Sequence, residues 1–483
     1  MRSLKRLIRP EKSLYWALLA LVVWLPVPLG SNRAWAWALM EVAAFTMLAV
    51  WLVLWARDKV VVEVPLRKSW PVFALLGAWV LLLVLQITPM PVSMVEAISP
   101  ESARIHGMVS VLGVAKEAIT ISIEPHATQI ALMKTLAYIA IFFLFLALVN
   151  NRERVQRAAQ VLVYAAVLHA IYGVLMHLSG VQGVYLGEDF THGSSASGFY
   201  PNRNHFAGML EMMLAIGIGL LIAGLADRKA TSWKKVAANL IEWILSPKML
   251  LRLSLCILVI ALTTTHSRMG NTAFFASLLI AGAIGIALSK HATRNVVVLL
   301  VSLVVLDLAI VGSWFGVEKL VKRLEETTVQ NVQEREEPAA YALGIIENYP
   351  VLGSGAGSFY VTFPKYRPET IPNFFDYAHN DYAQIASETG VVGIGLLGLV
   401  VAITLGVALR AQAVRRDPLM RGMSFASIMG ITAILIHSWV DFNLHIPANA
   451  VFFMVLLALG WISLYMDRQP PPPTPAPAEP AKP

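Results

Sequence analysis

The sequence predicts an all-α polytopic membrane protein of about twelve transmembrane helices, on three observations. Of 483 residues, 57% are hydrophobic and only 14% charged, with a mean hydropathy of +0.64. Soluble chains carry about 25% charged residues. The apolar residues come in runs of membrane length, since a hydrocarbon core about 30 Å thick takes roughly 20 residues rising about 1.5 Å each. Those runs do not alternate polar with apolar, so they fit helices rather than the strands of a membrane barrel.

In chain order the runs are 14–30, 34–56, 69–88, 129–149, 155–178, 205–225, 250–266, 270–288, 296–315, 391–410, 422–439 and 447–466. The first follows "MRSLKRLIRP" and precedes "AWA" at 34–36, which together resemble a secretory signal. Its length, and the charge alternation that cleavage would upset, favour an uncleaved first helix. Basic residues cluster in alternate connections, at 2–12, 57–68, 152–157, 228–252, 290–294 and 410–421, so that 26 of the 38 Lys and Arg fall on one side. The positive-inside bias makes that side cytoplasmic and puts both termini inside. The net charge of +8 is thereby a topology signal, and no nucleic-acid partner is expected. Cys256, the only cysteine, lies within a run, which excludes disulfides and cysteine–zinc sites. Residues 1–466 form the membrane domain; 467–483, rich in Pro and Ala, read as a disordered cytoplasmic tail.

Three connections stand out on the opposite face: 89–128, 179–204 and 316–390. The last is too long to lack structure of its own. "VEKLVKRLEETTVQ" places Val317, Leu320, Val321 and Leu324 on one helical face, and "EEPAAYALGIIENYP" predicts a second helix from Pro338 to just before Pro350. Gly353, Gly355 and Gly357 then turn the chain; no strand precedes them and the dinucleotide spacing is not met, so a phosphate loop is disfavoured. In "SASGFYPNRNHFAGMLEM" the sixth span starts at 202–204 with Asn as cap. Arg203 falls in its first turn and Glu211 two turns further. "LTTTHSRMGNTAF" is so short a connection that Arg268 stands at the outer boundary beside Thr265, His266 and Ser267. "YAHNDYAQIASETGVVG" sets His379, Asn380 and Asp381 just before the tenth span. Arg203, Arg268 and His379 thus share one face. Interfacial snorkelling accounts for a lone arginine, but lysine would serve equally, and arginines in short outer connections run against the positive-inside bias. Guanidinium grips phosphate through two parallel hydrogen bonds, so two of them suit a diphosphate.

These stretches resemble the O-antigen ligase and polymerase superfamily of bacterial envelope glycosyltransferases. The pieces that carry the resemblance are "GFYPNRNHFAGMLEM", "TTTHSRMGNTAF", "IIENYPVLGSGAGSFYVTF" and "YAHNDYAQIASETGVVG", with weaker agreement through "LQITPMPVSMVEAISP" and "HSWVDFNLHIPANAVFF". The resemblance implies a ligase-like core at about 198–395 and a large helical periplasmic loop between spans nine and ten. It implies a multi-pass bacterial inner-membrane enzyme, surrounded by membrane lipids, whose active face is periplasmic. A glycan on undecaprenyl diphosphate is the implied donor. The acceptor is the lipid A-core in ligases and another glycan in polymerases, without metal, nucleotide sugar or other cofactor. Arg203 and Arg268 would be the essential arginines and His379 the essential histidine. Asn202, Asn204, His205, Glu211, His266, Ser267, Asn380 and Asp381 would bind substrate around them.

These residue types suit that chemistry. A diphosphate leaves readily only if its growing charge is neutralised, which guanidinium groups do best where water is partly excluded. The acceptor hydroxyl must lose a proton, and histidine, ordinarily titrating near pH ~6.5, accepts one at neutral pH. Asp381 and Glu388 are candidates to orient it. A single displacement inverts the anomeric centre; a covalent route needs a carboxylate, for which Asp376, Asp381, Glu211 and Glu388 are the choices. In "HSWVDFNLH", His437, Asp441 and His445 recur every fourth residue, but Pro447 and a turn between spans favour a polar network over a metal site. His169 and Asp307, deeper in their spans, are expected to pair inside the bundle. The rival class is a secondary transporter, whose substrate groups gather at the midplane rather than at one face.

Overall fold

The computed structural model describes residues 10–110, 117–180, 182–185, 188–191, 195–225, 247–288, 329–368 and 374–466. Its helices are α1 (Pro10–Trp24), α2 (Ala34–Ala56), α3 (Val64–Lys68), α4 (Trp70–Ile87), α5 (Val92–Ile98), α6 (Pro100–Ser110), α7 (Pro125–Leu148) and α8 (Arg152–Ser179). They continue with α9 (Arg203–Leu225), α10 (Pro247–Thr264), α11 (Arg268–Leu288), α12 (Val329–Asn348), α13 (Phe359–Thr362), α14 (Asp381–Val414), α15 (Pro418–His437) and α16 (Pro447–Tyr465). Two small antiparallel pairs interrupt the all-helical pattern, Met90–Pro91 with Ala118–Ile119 and Gln182–Tyr185 with Glu188–Thr191.

Among the described residues nine helices are long and apolar enough to cross a membrane: α2, α4, α7, α8, α9, α11, α14, α15 and α16. Nine of the twelve expected runs thus correspond to such helices. The run at 296–315 lies outside the described residues, as do Asp307 and the helix expected at 317–324. Helix α10 is a shorter apolar segment. The first run yields a helix of 15 residues, because Pro26 and Pro28 lack the N–H a helix needs and the chain turns through Leu29–Ser31 instead. Helix α12 starts at Val329, nine residues before Pro338, which sits inside it, and ends before Pro350 as expected.

Helices α9, α15 and α16 are buried along most of their length, whereas α2, α4, α8, α11 and α14 are each buried over about a third or less. The first three therefore form a stem and the others a lipid-facing ring. The stem is tight because α9 and α15 cross at Gly219 and Gly422: a Cβ on Gly422 would stand 2.2 Å from the Gly219 carbonyl oxygen. In lipid, where apolar burial between helices gains little, such close backbone approach is a main source of association. One end of the bundle is tied by ion pairs of Arg154 with Glu11 and Arg152 with Asp417, and by Asn150 Nδ2 donating to Glu63 at 3.0 Å.

The opposite end gathers the connections at 25–33, 195–202, 265–267, 374–380 and 438–446. There the 350–357 turn crosses α14 where that helix is kinked at Gly390. Gly390 has φ +63°, and a Cβ there would lie 2.2 Å from the Val351 carbonyl oxygen. Glu388 fixes the turn by accepting from Gly357 N–H at 2.8 Å, Phe359 N–H at 3.3 Å and Gln384 Nε2 at 3.0 Å. A small core of Ala342, Ile345, Tyr349, Phe359, Phe363 and Ala378 packs α12 and α13 over the segment that carries residue 379.

Candidate active site

A cavity of about 550 Å³ opens at this end. Leu29, Asn32 and Arg33 line it from the α1–α2 connection, and Pro201, Asn202 and His205 from the start of α9. Phe374, Phe375, Asp376, Tyr377 and His379 come from the segment before α14, and Phe442 and Ile446 from the α15–α16 connection. Phe442 is the hub. Tyr377 stacks on it at 4.3 Å and 10°, while His205 and His379 meet it edge-on at 4.5 and 4.9 Å. Two imidazoles thus face one cavity with a single ring between them. Burial pushes the Tyr377 hydroxyl up to about 12 against the opposing pull of Asn32 and Arg33, so it stays a neutral donor.

The walls are strained where they carry chemistry. Among the described residues, five non-glycine positions have positive φ: Leu29, Ser31, Asp58, His266 and His379. Four of them lie at this end. Such backbone costs roughly 1–3 kcal/mol per residue and persists where surrounding contacts over-determine it. At His379 the fixing contacts come from both sides. Asn380 caps α14 by accepting from Ala383 N–H at 3.0 Å and donates Nδ2–H to the Trp439 carbonyl at 2.8 Å. Asp381 is fully committed: it accepts from Ser438 Oγ at 2.7 Å and Leu444 N–H at 3.2 Å, and pairs with His445 Nδ1 at 2.7 Å. Asp381 and Glu388, the candidates to orient His379, each hold a loop.

The 438–446 connection is a hub of histidine–carboxylate pairs. Helix α15 ends at His437, so the three residues spaced by four do not share a helical face. Each takes a different partner: His437 Nδ1 lies 2.8 Å from Glu211 Oε1, Asp441 Oδ1 lies 3.3 Å from His205 Nε2, and His445 pairs with Asp381. Burial raises the affinity of Asp441 for a proton, but the neighbouring His205 and His437 and the Phe442 N–H outweigh it and hold the carboxyl below its usual range. Burial opposes the charged form of His445, yet the hydrogen bond and charge of Asp381, with the charge of Glu388, hold it above 6.5. Asn449 Nδ2 donates to the His205 carbonyl and to Asn443 Oδ1, sealing the connection to α9.

Of the eleven residues singled out from sequence, Asn202, His205 and His379 line the cavity. Asn202 Oδ1 accepts the N–H of Asn204, which is buried on the first turn of α9. Arg203 stands immediately behind Asn202 and donates to Ser195 Oγ at 2.8 Å; that oxygen is 3.2 Å from His266 Nδ1. Ser267 is buried and accepts the Gly270 N–H at 3.2 Å, and Arg268 opens α11 with its side chain exposed. Arg203 therefore belongs to a second polar cluster, joined to His266 through Ser195 and set beside the cavity, whereas Arg268 stands at the start of α11. Glu211 is fully buried against His437 within the stem. Among the described residues no three metal-ligating groups converge. Arg33 is the cavity's guanidinium, and sequence reasoning passes over it. It meets the criterion that selects the other two: an arginine in a short connection on the less basic face.

Residues 253–398 match a protein-family model described as O-antigen ligase. The match takes in Arg268 and His379 and stops short of α9 on one side and the 438–446 connection on the other. Among curated proteins none matches the chain. The match of residues 253–398 to an O-antigen ligase model, and a cavity holding His379 at the end of a multi-helix bundle, agree with the resemblance carried by the sequence motifs.

Proposed function

We propose that the protein transfers a glycan from undecaprenyl diphosphate to an acceptor hydroxyl at the periplasmic face of the inner membrane, in the manner of an O-antigen ligase acting on the lipid A-core. What supports the reading is the cavity in which His379 meets Phe375 and Phe442 edge-on and which polar side chains line from three separate connections. Flat aromatic faces beside hydrogen-bonding groups suit sugar rings, and 550 Å³ lies within the range of small-ligand sites. His379 removes the acceptor proton as oxygen attacks the anomeric carbon. The carbon–phosphate oxygen bond breaks with its electrons on the diphosphate, whose charge Arg203 and Arg268 offset. Asn202 and His205 position the sugar. The result is inversion. Transfer to another lipid-linked glycan is the same chemistry with a different acceptor.

A second reading has one observation in its favour. Of the four carboxylates considered as nucleophiles, Asp376 lines the cavity, whereas Asp381, Glu211 and Glu388 are committed to other partners. Double displacement through Asp376 would retain anomeric configuration. The test is full-length protein in nanodiscs with lipid-linked glycan and a chelator. Wild type is expected to give inverted product, and His379→Ala to lose about 10²–10⁴ in rate. Arg203→Lys keeps charge while losing the fork and is expected to lose activity too. Full activity in His379→Ala rejects the base, and retained configuration moves the role to Asp376.

A further inference from the structure

The connection between α10 and α11 carries a hydrogen-bonded pair that the proposed transfer chemistry does not itself use. Helix α10 ends at Thr264, and His266 follows in the left-handed region at φ +51°. Its surroundings fix that conformation. His266 N–H donates to the Thr263 carbonyl at 3.1 Å, and Ser267 N–H donates to Thr265 Oγ1 at 3.1 Å. Ala196 N–H donates to the Thr264 carbonyl at 2.9 Å, which laces the 195–202 connection to the end of α10. Left-handed backbone outside glycine is costly and clusters at functional sites. Here it accompanies an imidazole set against Ser195, whose Oγ lies 3.2 Å from His266 Nδ1 and 2.8 Å from Arg203 Nη1. Ser195 is buried, and His177, in the last turn of α8, meets the His266 ring edge-on at 5.8 Å. A guanidinium can only donate, so Ser195 Oγ accepts from Arg203 and has its own proton to give to His266 Nδ1.

We propose that Ser195 and His266 are positioning residues for Arg203: they anchor its guanidinium and tie α9 to the connection from which Arg268 opens α11. The inference rests on the transferase reading and deepens it, because that reading asks guanidinium groups from two helices to act on one leaving group. Misplacing a reacting group by about 1 Å can cost about 10²-fold in rate, and arginine is a long side chain with many rotamers. The Ser195 hydroxyl gives its guanidinium a fixed partner, and that hydroxyl is oriented in turn by an imidazole two residues before Arg268. Guanidinium, hydroxyl and imidazole thus stand in series between the start of α9 and the start of α11, with the Ala196–Thr264 backbone bond as a second tie. Both residues act through Arg203, so His266 takes a positioning role rather than the substrate contact expected from the motifs.

Full-length protein in nanodiscs is assayed for transfer from a lipid-linked glycan. Ser195→Ala should lower kcat roughly tenfold or more, as expected for losing a hydrogen bond to a charged group, with the donor KM changing less. His266→Gly removes the ring at a backbone that glycine adopts freely, and should show the same split. Ser195→Thr keeps the hydroxyl, and His266→Asn keeps an acceptor on a residue that tolerates the left-handed region, so each should recover most of the loss. A double-mutant cycle then asks whether the effect runs through Arg203. In single-turnover reactions of Arg203→Met, adding Ser195→Ala should change the rate less than about twofold, since there is no guanidinium left to position. If Ser195→Ala misfolds, His266→Gly and its asparagine rescue decide on the same terms. Wild-type kcat in both Ser195→Ala and His266→Gly overturns the proposal, as does an undiminished effect of Ser195→Ala in Arg203→Met, or failure of both conservative variants to restore kcat. Wild type that transfers nothing overturns the transferase reading and this inference with it, whereas unaltered transfer in the variants removes the positioning role alone.

Discussion

Asp381→Asn is the perturbation that most directly probes how the site is held. The carboxylate is almost fully buried and takes three contacts from the 438–446 connection: Ser438 Oγ at 2.7 Å, Leu444 N–H at 3.2 Å and His445 Nδ1 at 2.7 Å. An amide removes the charge and replaces one acceptor oxygen with a donor, so either His445 gives up its Nδ1 proton or one contact becomes donor against donor. Removing one partner of a buried ion pair costs roughly 3–5 kcal/mol. The connection is still held by His205–Asp441 and by Asn449, so the loss should appear as local opening rather than global unfolding. At about 3 kcal/mol, local protection falls by more than a hundredfold. Hydrogen–deuterium exchange of the 438–446 amides, with α9 as internal reference, reads this directly. Since Phe442 sets the spacing of His205 and His379, transfer activity should fall in parallel. Unchanged exchange across 438–446 would refute the view that Asp381 fastens this connection.

Glu211→Gln should lower the melting temperature substantially, because both members of the Glu211–His437 pair are fully buried; Glu211→Leu/His437→Leu should recover most of it, since apolar replacement of a buried pair is often neutral or stabilising. Gly422→Val places a side chain where a Cβ would already stand 2.2 Å from a backbone oxygen, and is expected to cost at least about 1–3 kcal/mol in melting experiments, with Gly422→Ala milder. The folded-state proton affinity of His445 is raised, so its contribution is complete below about 6.5 and is lost as pH rises through the elevated value, whereas Asp441, depressed from 3.8, contributes above that value and fails in acid. Exchange across 438–446 should therefore be slowest at mildly acidic pH, and His445→Gln should flatten the alkaline side.

The membrane architecture was legible because length and apolarity are local properties. A run such as 34–56 needs no partner to declare itself a helix, and Pro26 and Pro28 mark where the first run must break. His379 was legible for a different reason, as part of a motif. Pairings across long separations were not. Glu211 looks like an outer-face residue until α15, 226 residues later, brings His437 against it. "HSWVDFNLH" shows a helical period, but the helix stops at His437 and the turn sends the next two members to partners on α9 and α14. Arg33 was hidden by its surroundings: the connection carries no recognisable motif, and only the fold shows that it faces the same cavity as His379.

The contact between Gly219 and Gly422 limits how the molecule can move. With backbone pressed on backbone, α9 and α15 have no room to slide or tilt against each other, so the scaffold beneath His205 and the 438–446 connection behaves as one solid strut. Whatever widening admits a bulky substrate and releases its product must be borne by the helices around the rim, above all α2, α7 and α14, which are far less buried than the stem.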